Sequence, residues 1–260
     1  MIKKVKVLNK DECENIFRII LELKSFWKLR NEDDHPFELP RFTLGAVSYI
    51  DAIGSYPNYQ KEAALQNPLL EKHLGDLYIK VLNELKESTG IDCEYSRTNA
   101  LPGFHIFGSD IYFEEEAGKF HHDRQNELID WGEISYDPIK NLSFTLSIKL
   151  PNRGAGLILL GDQVEVENSF KENEEDSQIL QEVIENSFQM NTIFQTRDDT
   201  HVNLNELEFI KYEEGYMFIH SGKFTHAMAP AIEMAPEDMR ITLQGHGILD
   251  EKSNKYLIYW

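Results

Sequence analysis

From position 142 to 150 apolar and polar side chains alternate without a break. Leu142, Phe144, Leu146, Ile148 and Leu150 fall on one face, and Ser143, Thr145, Ser147 and Lys149 on the other. A period of two marks a strand that buries one side, so one face must meet a core while the other meets water or a polar cavity. Similar short runs recur at 104–113, 119–124, 157–160, 209–219, 226–232, 240–245 and 257–260, divided by turns bearing Gly or Pro. Their spacing predicts an antiparallel sandwich or barrel.

Upstream of Gly90 the texture is mainly helical. Asp11 is placed to cap a helix carrying Ile16, Ile19, Ile20, Leu23 and Trp27 at three- and four-residue spacing. A second helix over about 68–88 repeats Leu69, Leu70, Leu74, Tyr78, Val81, Leu82 and Leu85, and Gly90 ends it. The Pro- and aromatic-bearing stretch between them reads as loops with one strand. Residues 162–199 break the β pattern with 11 Asp/Glu against 2 Lys/Arg, so −9 of the net −19 sits in one insertion. It carries an amphipathic helix built on Ile179, Leu180, Val183, Ile184 and Phe188. Its bland reading is a solvated excursion, and its functional reading is a lid over a pocket. The whole chain, 1–260, reads as a single domain: a helical flank over 1–90, then β structure over 91–260 with the acidic insertion.

Charge and composition exclude several functions. A net charge of −19 repels a phosphate backbone and an anionic membrane surface, so nucleic acid and membrane are not expected partners. No run approaches the length of a membrane span, and no signal peptide is visible, which suggests a cytoplasmic protein. Cys13 and Cys93 form neither a metal pair nor a disulfide framework. There is no Gly-x-Ser-x-Gly elbow and no phosphate-loop pattern.

The chemistry-bearing residues are histidines. In Lys119-Phe-His-His-Asp-Arg-Gln125, strand geometry sends His121 and Asp123 to one face and His122 to the other. An imidazole and a carboxylate supply two ligands of a facial triad, which suits non-haem Fe(II) and leaves open positions. A lone His-x-Asp occurs by chance and needs a third ligand. His226 is the candidate, following an apolar strand and a Gly-bearing turn; His220, before that turn, fits less well. Fourteen residues beyond His226, Arg240 and Thr242 share a strand face, and a fixed guanidinium beside a hydroxyl can grip a carboxylate.

In this order the residues resemble the signature of the Fe(II)- and 2-oxoglutarate-dependent oxygenases: His-x-Asp, a distal His, then Arg-x-Ser/Thr. Here these are His121-His-Asp123, His226 and Arg240-Ile-Thr242. The turn before the distal His departs from the family, with Glu214-Gly215-Tyr216 in place of Pro-Gly-Asp. The resemblance covers about residues 100–248. It implies a double-stranded β-helix (jelly-roll, cupin-like) barrel with N-terminal helices, mainly β overall. It further implies that His121, Asp123 and His226 bind Fe(II), that Arg240 assisted by Thr242 holds 2-oxoglutarate, and that O2 is consumed to hydroxylate a small molecule. An amino acid or natural-product intermediate would fit, and the acidic insertion would suit a cationic one. Gln125, Thr145 and Arg97 are further candidates for substrate contact, with Ser147, His105 and Tyr112 behind them; His246 has no assignment, and Arg153 sits in a hairpin turn. The alternative is a cupin-like isomerase or a non-catalytic metal-binding barrel, against which the Arg240/Thr242 pair argues.

Overall fold

The computed structural model describes residues 2–30, 41–53, 55–109, 120–160, 176–182 and 207–260. The described strands, in chain order, are β1 (Lys3–Lys6), β2 (Lys28–Arg30), β3 (Arg41–Leu44), β4 (Asp92–Tyr95), β5 (Gly103–Gly108), β6 (Tyr136–Lys149), β7 (Leu157–Leu160), β8 (Leu207–Ile210), β9 (Tyr216–Ser221), β10 (His226–Met228), β11 (Met239–Asp250) and β12 (Lys255–Tyr259). Helices α1 (Lys10–Glu22), α2 (Ser48–Asp51) and α3 (Tyr56–Thr89) lie in the first ninety residues. A large sheet runs β1-β9-β6-β11-β5-β3-β2, with β12 and β4 branching from β11, and a small sheet runs β10-β7-β8. An isolated bridge between His121 and His226 adds a fourth segment to the small sheet. All these pairings are antiparallel except β12 with β4. Two facing antiparallel sheets make the jelly-roll.

The alternation in β6 explains how the sheets are used. Leu142, Phe144, Leu146 and Ile148 join Phe104, Ile106, Met217, Ile219, Ile241 and Leu243 in one core under α1 and α3. Both helices are amphipathic and bury Ile16, Ile20, Leu70, Leu77, Val81 and Leu85 against it. Ser143, Thr145 and Ser147 turn to the other face and are buried there between the sheets. The small sheet divides likewise: Leu157, Leu159 and Ile210 pack inward with Phe218, while Ile158, Leu207 and Phe209 pack outward. Ile179, on the helix at 176–182, joins the outward set. That part of the acidic insertion therefore covers the back of the small sheet; the remainder of 162–199, with Val183, Ile184 and Phe188, lies outside the described residues.

Several boundaries move for identifiable reasons. The cap of α1 is Asn9 rather than Asp11, in a reciprocal capping box with Glu12. Helix α3 starts at Tyr56, a dozen residues before the expected start, and Pro68 lies inside it. Proline suits a first turn, so it reads as a start in sequence. The 209–219 run is two strands, because Gly215 turns the chain at φ 82°. The Gly215 carbonyl accepts from Val7 N and Leu8 N, and a Cβ there would sit 2.3 Å from Leu8 O. Gly215→Val is therefore expected to destabilise the fold by at least about 2 kcal/mol, combining a disfavoured φ with a backbone clash. Equal denaturant midpoints for variant and parent would contradict this.

No helix among the described residues is long and apolar enough to cross a membrane.

Candidate metal centre

Two turns build the centre. The chain leaves the small sheet after His121, whose N–H and carbonyl pair with those of His226 at 2.9 and 3.0 Å. Asp123 N then donates to Gly222 O at 2.7 Å, in the turn that joins β9 to β10. Asn141 of β6 donates from Nδ2 to Asp123 O at 2.9 Å, tying this loop to the large sheet. Gly222 allows the approach, since a Cβ there would meet both the Asn141 amide and Asp123 Cβ.

One ligand atom from each of His121, Asp123 and His226 lies within 4.8 Å of the others. Nε2 of His121 is 3.7 Å from Asp123 Oδ1, and Nε2 of His226 is 3.7 Å from Oδ2. His226 Nδ1 is 2.8 Å from Phe224 O, so the ring N–H donates there and the Nε2 lone pair faces the cluster. Burial holds the His226 imidazole down at about 4, hence neutral at pH 7. Burial alone would raise Asp123, but the surrounding His226, His246, His121 and His220 outweigh it and keep the carboxyl below the usual carboxylate range. A neutral His226 imidazole and an ionised Asp123 carboxylate are in the protonation states that metal coordination requires.

Gln125 donates from Nε2 to Asp123 Oδ1 at 3.1 Å, so it steadies the carboxylate. Strand period did not bring it there: Gln125 opens a short 3-10 turn, Gln125–Leu128. His122 is exposed, with Nδ1 against Lys223 O and Nε2 near Thr225. His220 lies inside, its ring centroid 4.9 Å from that of His226, with Nδ1 against Ser221 O.

The facing wall belongs to the large sheet. Arg240 is 1% exposed and donates to Ala155 O at 3.2 Å and to Thr242 Oγ1 at 3.3 Å. Its guanidinium lies 5.6 Å from the Phe107 ring centroid and 5.8 Å from that of Tyr212. Burial lowers Arg240 to about 10, partly offset by Tyr212, so it stays charged at pH 7. Thr145 is buried on the inward face of β6. His105, paired with Thr242 across the sheet, is buried with Nε2 2.6 Å from Tyr49 OH. Arg97 is not brought to this interior: it is exposed in the bend after β4. Tyr112 lies outside the described residues. Arg153 pairs with Glu182 at 2.9 Å, a half-buried ion pair between the 150s turn and the 176–182 helix.

Sequence reasoning missed Tyr212, one of 11 tyrosines with nothing local to mark it, and left His246 unassigned. Only the fold brings either side chain to the interior.

An N-substituted L-amino acid dioxygenase from Burkholderia ambifaria AMMD, in complex with alpha-KG, is similar with a TM-score of 0.51. The two share 12% identity, over 100% of this chain and 86% of that one. The fold is that of the Fe(II)/2-oxoglutarate oxygenases. A 2OG-Fe(II) oxygenase family protein from Burkholderia pseudomallei gives 0.48 at 9% identity, covering 94% of this chain and 83% of that one. A Pseudomonas putida prolyl-4-hydroxylase gives 0.40 at 10% identity, covering 95% and 91%. No protein-family model matches the sequence, and no curated protein matches it. The oxygenase fold agrees with the jelly-roll expected from the motif order, and its interior holds the His121/Asp123/His226 group.

Proposed function

We propose that the chain is a single-domain Fe(II)- and 2-oxoglutarate-dependent oxygenase that hydroxylates a small molecule. The observation that carries this reading is the convergence of His121, Asp123 and His226 at the inner edge of the small sheet. Two imidazole nitrogens and one carboxylate suit Fe(II) and leave positions for other ligands. Fe(II) held by these three residues, with 2-oxoglutarate and O2, supplies the oxidising power for hydroxylation and yields succinate and CO2.

The chain's own residues prepare the site. Phe224 O fixes the His226 tautomer, and Gln125 and Asn141 hold Asp123 in place. Arg240 offers a buried cation to the far carboxylate of the keto acid, with the Thr242 hydroxyl beside it. Phe107, Tyr212 and Phe218 give that end an apolar, water-poor lining, which strengthens the ion pair.

The preference for a cationic substrate has little behind it among the described residues. Asp123 and Asp176 are their only buried carboxylates, and the acidic insertion is described only where it backs the small sheet. The cupin-like alternative gains no observation of its own, since it leaves the buried Arg240/Thr242 pair without a purpose.

Anaerobic titration of the apoprotein with Fe(II) and 2-oxoglutarate tests the reading. The weak visible charge-transfer band of the chelate should form in the parent and be lost in His226→Ala. Metal binding without the band would leave a cupin-like metal protein. Arg240→Ala should weaken 2-oxoglutarate binding by about 30-fold or more, the effect of removing one partner of a buried charged pair, while Fe(II) affinity changes little. Unchanged co-substrate affinity would show that another basic residue holds the carboxylate.

A further inference from the structure

His246 is a buried imidazole that the metal cluster does not use. On β11 it shares the inward face with Arg240 and Thr242, and it is 6% exposed. Across the sheet it pairs with Ser143 on one side and Tyr259 on the other, its ring 5.8 Å from the Tyr259 ring. Ser143 in turn pairs with His220 of β9, whose ring centroid is 4.9 Å from that of His226, so His246 stands on the sheet face that meets the metal centre. Nδ1 lies 3.0 Å from Ser143 Oγ, whereas Nε2 is buried without a hydrogen-bond partner.

The Ser143 contact decides where the ring proton sits. If Nδ1 carried it, Nδ1–H would donate to Oγ; the Ser143 hydroxyl proton and the Nε2 lone pair would then both be left unused. If Ser143 donates to Nδ1, Nε2 carries the proton and only that N–H is left. Leaving fewer buried groups unpaired favours the second arrangement. His246 then presents a neutral N–H donor to the interior, next to the metal cluster and beside an aromatic wall in which Tyr259 packs on Trp131.

We propose that His246 is a substrate-contacting residue whose Nε2–H donates to an acceptor oxygen of the molecule to be oxidised, so that the site selects an acid or an amide over an amine. This rests on the oxygenase reading and refines its substrate class. A donor with no partner of its own attracts an oxygen and rejects an ammonium, which brings only further donors. An ionised carboxylate is the stronger acceptor.

The test uses the Fe(II)- and 2-oxoglutarate-loaded protein under argon, titrated calorimetrically with 3-phenylpropionate, 3-phenylpropionamide and 3-phenylpropylamine. The acid should bind at least about 10-fold more tightly than the amine, with the amide between them. His246→Phe should abolish that preference, while His246→Gln, which restores an N–H, should keep most of it. Ser143→Ala, which frees the tautomer, should weaken acid binding by a smaller factor. The chelate band and 2-oxoglutarate affinity should be unchanged in all three variants, a readout that also reports intact folding. Equal binding of acid and amine, no binding of any probe, or an acid preference that survives in His246→Phe overturns the proposal. So does a loss of 2-oxoglutarate affinity in His246→Phe, which would assign His246 to the co-substrate. A parent that forms no chelate band fails earlier and overturns the oxygenase reading itself.

Discussion

Asp123→Ala should abolish turnover and weaken Fe(II) binding by well over 100-fold. Residues that only orient metal ligands typically cost about 10–100-fold when removed, and loss of a ligand exceeds that. Asp123 is the single carboxylate of the described cluster and the atom pair through which both imidazoles converge, at 3.7 Å each. Its removal also strands Gln125 Nε2, which donates to it. Succinate release from 2-oxoglutarate and equilibrium Fe(II) binding measure the two effects separately. Retained full activity would sink the ligand assignment, and retained metal binding with lost turnover would mean that His121 and His226 suffice to hold the ion.

Acidification of the metal-free protein should begin to destabilise it well above the pH at which carboxylates titrate. Burial lowers His220 and His226 to about 4, against about 6.5 in an unfolded chain. Between those values the unfolded state binds protons that the folded state refuses, so stability falls as pH drops below 6.5. Each group contributes about 1.4 kcal/mol per pH unit, so the pair contributes about 3. His105 and His246, also lowered by burial, act in the same direction. Asp123 adds a loss of the same sign only at lower pH, below its unfolded value. Against a total stability of about 5–15 kcal/mol, the midpoint should be reached before pH 4. Urea titrations at pH 7, 6 and 5 measure the slope, and His220→Gln should flatten it by about one proton. A stability independent of pH over that range would refute the burial of these rings.

The β architecture was largely readable from sequence, because period-two alternation is a local property. Leu142 to Ile148 showed which face would be core before any partner strand was known, and Leu157–Leu160 kept both its bounds. The Arg240 strand was harder to bound: β11 runs on to Asp250, past Gly245, where the expected run ends, and past Gly247. Those glycines are demanded by packing, since side chains there would strike Phe144, Ile258 and Leu142. In the site, motif order brought His121, Asp123 and His226 to notice. It could not place Gln125 in a 3-10 turn, set Arg97 outside, or reveal Tyr212 beside Arg240. Such contacts join residues far apart in the chain, and local pattern carries no record of them. His246 shows the same limit: its meaning rests on a hydroxyl 103 positions away.

The division of labour between the two sheets has a mechanical consequence. His226 belongs to the small sheet and His121 bridges to it, whereas Arg240 and Thr242 belong to the large one. A dicarboxylate that chelates the ion at one end and meets Arg240 at the other is therefore a cross-brace, fastening the two halves of the sandwich from within. Loading the centre should rigidify the whole molecule, with amide exchange slowing on β7, β8 and β10 as well as at the residues that touch the ligand.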